Sequence, residues 1–429
     1  MSFKFVSPIY VILVAVILSP VANAVPWTLQ KSIAQAMSVS PELKQSVAEI
    51  GAKNADLELS GLWPDPSIEF KVDNQIGQDD GSGDYGLSEI TISQDIPLSR
   101  IKYQKLVAEA QLSAAKHLQN NSALLLQNRV AKVFYKLQFA FSKYELAEKR
   151  VKLADKLNAS AVKNNHGVVV RYLTPLEKMR LSIIREKAHQ AESAAEGNLQ
   201  ETLTEFYKLL GLEAGNKIVV PELVPVTRIP ELISLTNMQE NHPLFTGQQE
   251  SVQAAMNEVD LARSSSMRDP SISVNRLREN FSTGTENVYG IMLNFEIPIH
   301  DRKSSAVSKA NYNVSQQRIE LARLKRGLQI NLKRSYTHLN HVIEQATEFK
   351  KKVLKPASKM LQLSERGFIS GELNILSIVD ANNTYFEARK EYLDLIYQTW
   401  VELADINLYA GNSILENNNL VSLNLTGKQ

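Results

Sequence analysis

The chain has 429 residues, 44% apolar and 22% charged, with a formal net charge of +2. That composition supports a large buried core and excludes a disordered chain. A charge so balanced, with no lysine-rich or arginine-rich tract, argues against a nucleic-acid partner. There are no cysteines, which excludes disulfides, thiolate metal sites, cysteine nucleophiles and a lipid anchor on an N-terminal cysteine.

Residues 1–24 read as a secretory signal. Lys4 gives a positive start, Ile9 to Leu18 is an apolar run, and Ala22-Asn23-Ala24 is a small-x-small cleavage site. The apolar run is shorter than the roughly 20 residues of a spanning helix. The mature chain is expected to begin near Val25, outside the cytoplasm. No later stretch is long and apolar enough for a membrane helix, so any span must be β.

The first mature segment, about Thr28 to Leu62, is helical in pattern. Two short alternating runs follow. Ile68, Phe70 and Val72 alternate with Glu69, Lys71 and Asp73, and Ile90 and Ile92 alternate with Thr91 and Ser93. Period two is the strand signal, and the polar, glycine-bearing stretch Gln78 to Gly83 suits the turn of a hairpin over residues 67–96. From Ser99 to Asn164 there is no proline, and the composition is that of a very long helix. At 1.5 Å per residue such a helix reaches roughly 100 Å. It must pack side by side with others in a coiled-coil-like wall, and Ala108, Ala110, Ala114 and Ala115 would let backbones approach closely. A glycine-bearing break at Gly167 and another helix ending at Leu210-Gly211 complete a first unit, residues 25–211.

The plan then repeats. A linker, residues 212–232, carries Pro221, Pro225 and Pro230. A second unit, residues 233–411, has a helix at about Ile233 to Ser266, a hairpin over 271–298, and a long helical stretch from about Ser304 to Arg366 interrupted only by Pro356. Its third run, Ile272 and Val274, is the weakest strand signal; in its fourth, Tyr289, Ile291, Leu293, Phe295 and Ile297 share one face. Four landmarks recur in order: Pro41-Glu42-Leu43 with Pro243-Leu244, Asp65-Pro66-Ser67-Ile68 with Asp269-Pro270-Ser271-Ile272, Ile96-Pro97-Leu98 with Ile297-Pro298-Ile299, and Leu210-Gly211 with Ala410-Gly411. Their offsets run from 200 to 204 residues, which argues for an internal duplication. Residues 412–429 form a tail with no readable function. Four strands cannot close a barrel in lipid. If they lie in a membrane, several chains share one barrel.

The chain resembles the TolC family of outer-membrane efflux channels. The residues that carry the resemblance are Trp63 to Ser67, Asp95-Ile96-Pro97-Leu98, Ile297 to Arg302, Gly371-Glu372-Leu373 with Val379-Asp380-Ala381, and the two closing glycines Gly211 and Gly411. Within the family, Ile297 to Ala310 and Gly371 to Asp394 are similar to the heavy-metal, CzcC-like branch. The resemblance implies a mainly α chain with a small transmembrane β part, assembled as a homotrimer. Its twelve-stranded barrel, four strands per chain, would stand on a long α-helical tunnel through the periplasm. It implies a passive channel with no enzymatic activity and no cofactor, in contact with outer-membrane lipid, a periplasmic adaptor protein and an inner-membrane RND (resistance–nodulation–division) pump.

The same resemblance points to site residues. Asp380 matches one of two family aspartates at the tunnel entrance, and Ser377 stands at the other position. In a three-fold assembly Asp380 becomes a ring of carboxylates that attracts cations. Glu177, 203 residues earlier, is the counterpart in the first unit. The tips Gly167-Val168-Val169 and Gly371-Glu372-Leu373 are where the adaptor is expected to dock, with their apolar side chains exposed. His338 and His341 form the one plausible histidine pair, too few ligands for zinc. Phosphate loops, nucleophile elbows and HExxH are absent. The expected cargo is a heavy-metal cation. The alternatives are a channel for organic toxins or secreted polypeptide, and a soluble periplasmic coiled-coil protein.

Overall fold

A computed structural model describes residues 26–73, 87–98, 100–162, 174–215, 218–226, 229–265, 269–281, 284–297 and 302–414. The expected signal, the first hairpin turn, Gly167, Val168 and Val169, and the tail beyond residue 414 lie outside them.

The two units follow one element order among the described residues. The first has α1 (Leu29–Val39), α2 (Pro41–Ser60), β1 (Ser67–Asp73), β2 (Leu87–Asp95), α3 (Arg100–Val162) and α4 (Pro175–Leu210). The second has α5 (Leu232–Gln239), α6 (Pro243–Ser264), β3 (Ser271–Phe281), β4 (Gly284–Asn294), α7 (Arg302–Phe349), a π-helical turn (Lys350–Leu354), α8 (Lys355–Ile369) and α9 (Ile375–Ala410). The opening helix expected in each unit is therefore two helices. Pro41 and Pro243 each sit in the first turn of the second one, where a missing N–H is tolerated. Ser40 Oγ and His242 Nδ1 cap these turns, accepting from Leu43 N and Leu244 N. The long stretch of the second unit is also divided: a π turn precedes α8, whose second residue is Pro356.

The recurring landmarks meet in space. Gly211 and Gly411 end α4 and α9 in the left-handed region, at φ 63° and 73°. A Cβ on Gly211 would lie 3.2 Å from the Val39 side chain, and one on Gly411 would lie 3.1 Å from the His242 Cα. So each unit's last helix closes onto the bend that opens its second helix. The main core lies here. Ile33, Val130, Phe134, Leu137, Phe206 and Leu210 are buried together with Leu339, Trp400 and Ile406.

The strands form one antiparallel sheet in the order β1-β2-β3-β4. Ile68, Ile92, Val274 and Ile291 stand side by side across it, and Phe70, Ile90, Arg276 and Tyr289 make the next row on the same face. Apart from Arg276 these side chains are apolar, and most are open to the surroundings: Phe70 is 74% and Ile291 77% exposed. The other face is polar. Ser93 and Ser273 share a hydroxyl hydrogen bond of 2.7 Å, and Asn275 Nδ2 donates to Glu89 Oε1. Asn275 also explains Gly290 opposite it, since a Cβ there would sit 2.4 Å from Asn275 Oδ1. The weakly patterned β3 becomes a full strand because it is laddered on both sides. Among the described residues β1 and β4 pair on one side only, which leaves two open sheet edges.

His242 supplies a pH test. Its ring is buried, Nε2–H donates to Leu408 O at 3.0 Å, and Nδ1 is used as the cap. Burial, partly offset by the carbonyl of Leu408, holds its pKa below the ordinary 6.5. The neutral ring thus stabilises the fold above that pH, and the contribution is lost as pH falls through the lowered value. Thermal unfolding of the detergent-extracted protein should show stability dropping on acidification below about 6.5, with a smaller drop in His242→Asn. Gly411→Ala should cost about 1–3 kcal/mol through the strained φ, read as a lower unfolding midpoint.

Candidate functional site

The face of α9 that nothing covers is the candidate. One flank of the helix packs on α3, where Tyr135 stacks on Trp400 at 4.5 Å and Phe139 on Tyr397 at 4.8 Å. The other flank meets α7, where His338 Nδ1 lies 2.9 Å from Glu402 Oε1. A third side is covered by the linker: Trp400 Nε1 donates to Val224 O at 2.7 Å, and Leu223 and Val226 are buried against the same core.

Opposite the linker, Asp380, Glu387, Glu391, Asp394, Glu402 and Asp405 recur at steps of three, four, seven and eight residues, one stripe of an α-helix. Asp405 is neutralised by Lys132 at 2.6 Å and also accepts from Asn128, and Glu402 is held by His338. Asp380, Glu387, Glu391 and Asp394 have no ion pair or hydrogen bond among the described residues; all but Asp394 are exposed, and Asp394 is half-buried. Beside the stripe runs a groove between α3, α4 and α9, walled by Lys143, Arg150, Lys390 and several alanines. Arg150 donates to Asn383 Oδ1 at 2.8 Å and lies over the Phe386 ring, while its Nε is buried without a partner. The bare face therefore carries an acidic line with a basic border. A line of carboxylates of this kind concentrates cations without coordinating any of them tightly. Among the described residues no three metal-ligating side chains come together.

Only Asp380 was legible as part of this stripe. The rest was hidden because Glu387, Glu391 and Asp394 alternate in sequence with Arg389 and Lys390, and only the helical period separates the acids from the bases. Ser377 and Glu177 have a different geometry. Each is the third residue of its helix. Glu177 closes a capping box with Thr174, accepting from Thr174 N at 2.8 Å, while Ser377 N donates to the Asn374 cap at 3.0 Å. By helix start, Glu177 corresponds to Ser377, and Asp380 stands one turn further along.

The second tip is tightly folded. Gly371 has φ 81° and Leu373 N donates to Gly367 O at 2.9 Å. The expected exposure of Leu373 is not found. Its side chain folds back onto Gly367, where a Cβ would come within 2.7 Å of it. The apolar surface at this tip comes instead from Ile369 and Leu376, 63% and 51% exposed, beside the exposed Gly371 and Glu372.

No helix among the described residues is long and apolar enough to cross a membrane. A sheet with one apolar outer face, standing on helices of up to 63 residues, is the architecture of an outer-membrane channel built from β-barrel and helical tunnel. Residues 235–412 match the family model described as outer membrane efflux protein. The chain is 22% identical over 402 residues to the cobalt-zinc-cadmium resistance protein CzcC of Cupriavidus metallidurans, covering 91% of this chain and 92% of that one. Among solved structures it is similar to CusC (TM-score 0.73, 16% identity, 91% and 93% of the two chains). It is similar also to the open-state MtrE outer membrane channel of Neisseria gonorrhoeae (TM-score 0.73, 15% identity, 90% and 89%). Residues 235–412 thus match the outer membrane efflux protein family, and the chain as a whole has the fold of the TolC-like channels. It is a non-enzymatic channel of the Gram-negative outer membrane with a periplasmic helical domain, which displaces the reading as a soluble coiled-coil protein.

The capping role of Glu177 yields a prediction. Glu177→Ala should weaken the start of α4 by about 1 kcal/mol, seen as faster amide exchange over its first turn, and leave ion conduction unchanged.

Proposed function

We propose that this protein is the three-copy exit duct of a tripartite efflux system for heavy-metal cations. The observation that carries the reading is the line of free carboxylates on the bare face of α9. A closed ring needs one face of each helical wall toward the duct. The linker with α1 and α5 thickens the opposite face, and a second layer inside would fill the bore. Three copies then surround the passage with three acidic lines, and Asp380 stands nearest the helix tips.

The cargo is supported by the cobalt-zinc-cadmium resistance of the relative in Cupriavidus metallidurans and by the absence of tight ligand clusters, since a conduit must release what it attracts. The energy comes from an RND pump in the inner membrane, linked by a periplasmic adaptor that seats on the tips at Gly371, Glu372 and Leu373, with Gly167, Val168 and Val169 as the matching tip. The boundaries proposed from sequence belong to this reading: signal 1–24, first unit 25–211, linker 212–232 at the waist of the tunnel, second unit 233–411, and a tail.

Two measurements test it. A strain lacking the gene should become sensitive to divalent metal salts, and to organic toxins by no more than about twofold; the reverse pattern would assign the duct to organic cargo. In a planar bilayer, Asp380→Asn should weaken divalent-ion block by several-fold. An unchanged block would place that carboxylate away from the bore.

A further inference from the structure

Across the lower wall the helices run α4, α3, α9, α8. α4 packs on α3, α3 on α9, and α9 on α8, and among the described residues the helical layer closes no further within one chain. The outer sides of α4 and α8 are therefore its two free edges.

Side-chain pairs between neighbours fix which parts of these edges stand level. Asp155 with Arg185, and Lys136 with Glu205, set α3 against α4. Phe139 on Tyr397 and Arg150 with Asn383 set α3 against α9. Lys350 over Tyr392 sets α9 against the π turn. Followed across the wall, these pairs bring residues 186–197 of α4 level with residues 350–361 of the π turn and α8.

The two stretches have opposite charge. Residues 186–197 hold Glu186, Glu192 and Glu196 against Lys187, with His189 beside them. Residues 350–361 hold Lys350, Lys351, Lys352, Lys355 and Lys359 and no carboxylate. Some are engaged at home: Glu186 lies 3.6 Å from Arg185, Glu192 3.6 Å from His189, and Lys352 pairs with Glu348. Glu196, Lys351, Lys355 and Lys359 are exposed and have no hydrogen bond or ion pair among the described residues. Gly197 lies on the side of α4 away from α3, with nothing beyond its own stretch of helix within 4 Å of where its Cβ would be. A glycine there weakens an isolated helix, and it leaves room for a long side chain from outside.

We propose that the acidic edge of α4 in one copy seats against the lysine edge of the π turn and α8 in the next, around Gly197. The contact is heterologous, and repeated with a rotation of about 120° between copies it closes a ring of three. Its charges fix the order and register in which copies join. The inference rests on the three-copy reading above and adds the residues that make the seam.

The absence of cysteine from the chain makes the test clean. In the full-length protein in outer-membrane vesicles, Glu196→Cys combined with Lys351→Cys should give covalent two-copy and three-copy bands with a short bis-maleimide, and neither single variant should. Glu186→Lys with Glu196→Lys should lower the trimer fraction in native mass spectra at least tenfold, and adding Lys355→Glu with Lys359→Glu should restore it. Gly197→Leu should act like the charge reversal. A native mass of three copies for the unchanged protein, with no cross-linked bands from the cysteine pair, would overturn the seam and leave the three-copy duct standing. A monomer mass for the unchanged protein would overturn both.

Discussion

Hydrocarbon offers a peptide N–H or C=O no partner except another peptide group, and every other feature of this chain accommodates that rule. Four strands give an apolar face and a polar face, and they leave β1 and β4 each with a row of unpaired groups. Widening the sheet within one chain would need more hairpins. Sharing the barrel among copies needs only that each copy hold its hairpins at one height and angle. The duplicated unit does this by presenting two hairpins in register, β2 against β3, with Ser93 bonded to Ser273 across the join.

The helices are long because they must hold that sheet at a fixed distance from the tips. α3 runs for 63 residues, about 95 Å, and it takes its support from α2, α4, α6 and α9 along its length. The deepest packing is gathered where α1, α4 and α9 meet α3, around Phe134, Phe206 and Trp400. Below that level the wall thins to single helices and smaller clusters, such as Leu157, Leu361 and Phe368. Stability is thus concentrated at the waist, and the ends are left with less to resist rearrangement.

Much of the architecture was legible because its signals are periodic or paired. The period-two runs gave all four strands, and the ordered landmarks gave the duplication. What resisted reading was punctuation inside helical stretches. Pro41 and Pro243 look like helix starts only once Ser40 and His242 are seen to cap them. The π turn before Pro356 has no sequence signature of its own. At the candidate site, Asp380 stood out through resemblance, while Glu387, Glu391 and Asp394 needed the helix phase to be sorted from their basic neighbours. The capping role of Glu177 was not legible, because a carboxylate at the third position of a helix looks, in sequence, like any other acid.

The π turn at Lys350–Leu354 does more than ease a proline into the wall. One residue wound in excess advances everything beyond it by about 100° around the axis. The helix is like a bolt whose thread has been re-cut partway down: above the join α7 grips α6 and α9, and below it α8 grips α9 and reaches α3 through Glu365 and Lys156, with a different set of residues turned outward. A single slipped residue therefore lets one continuous rod follow two packing schemes, so a uniform heptad repeat was never available to this segment.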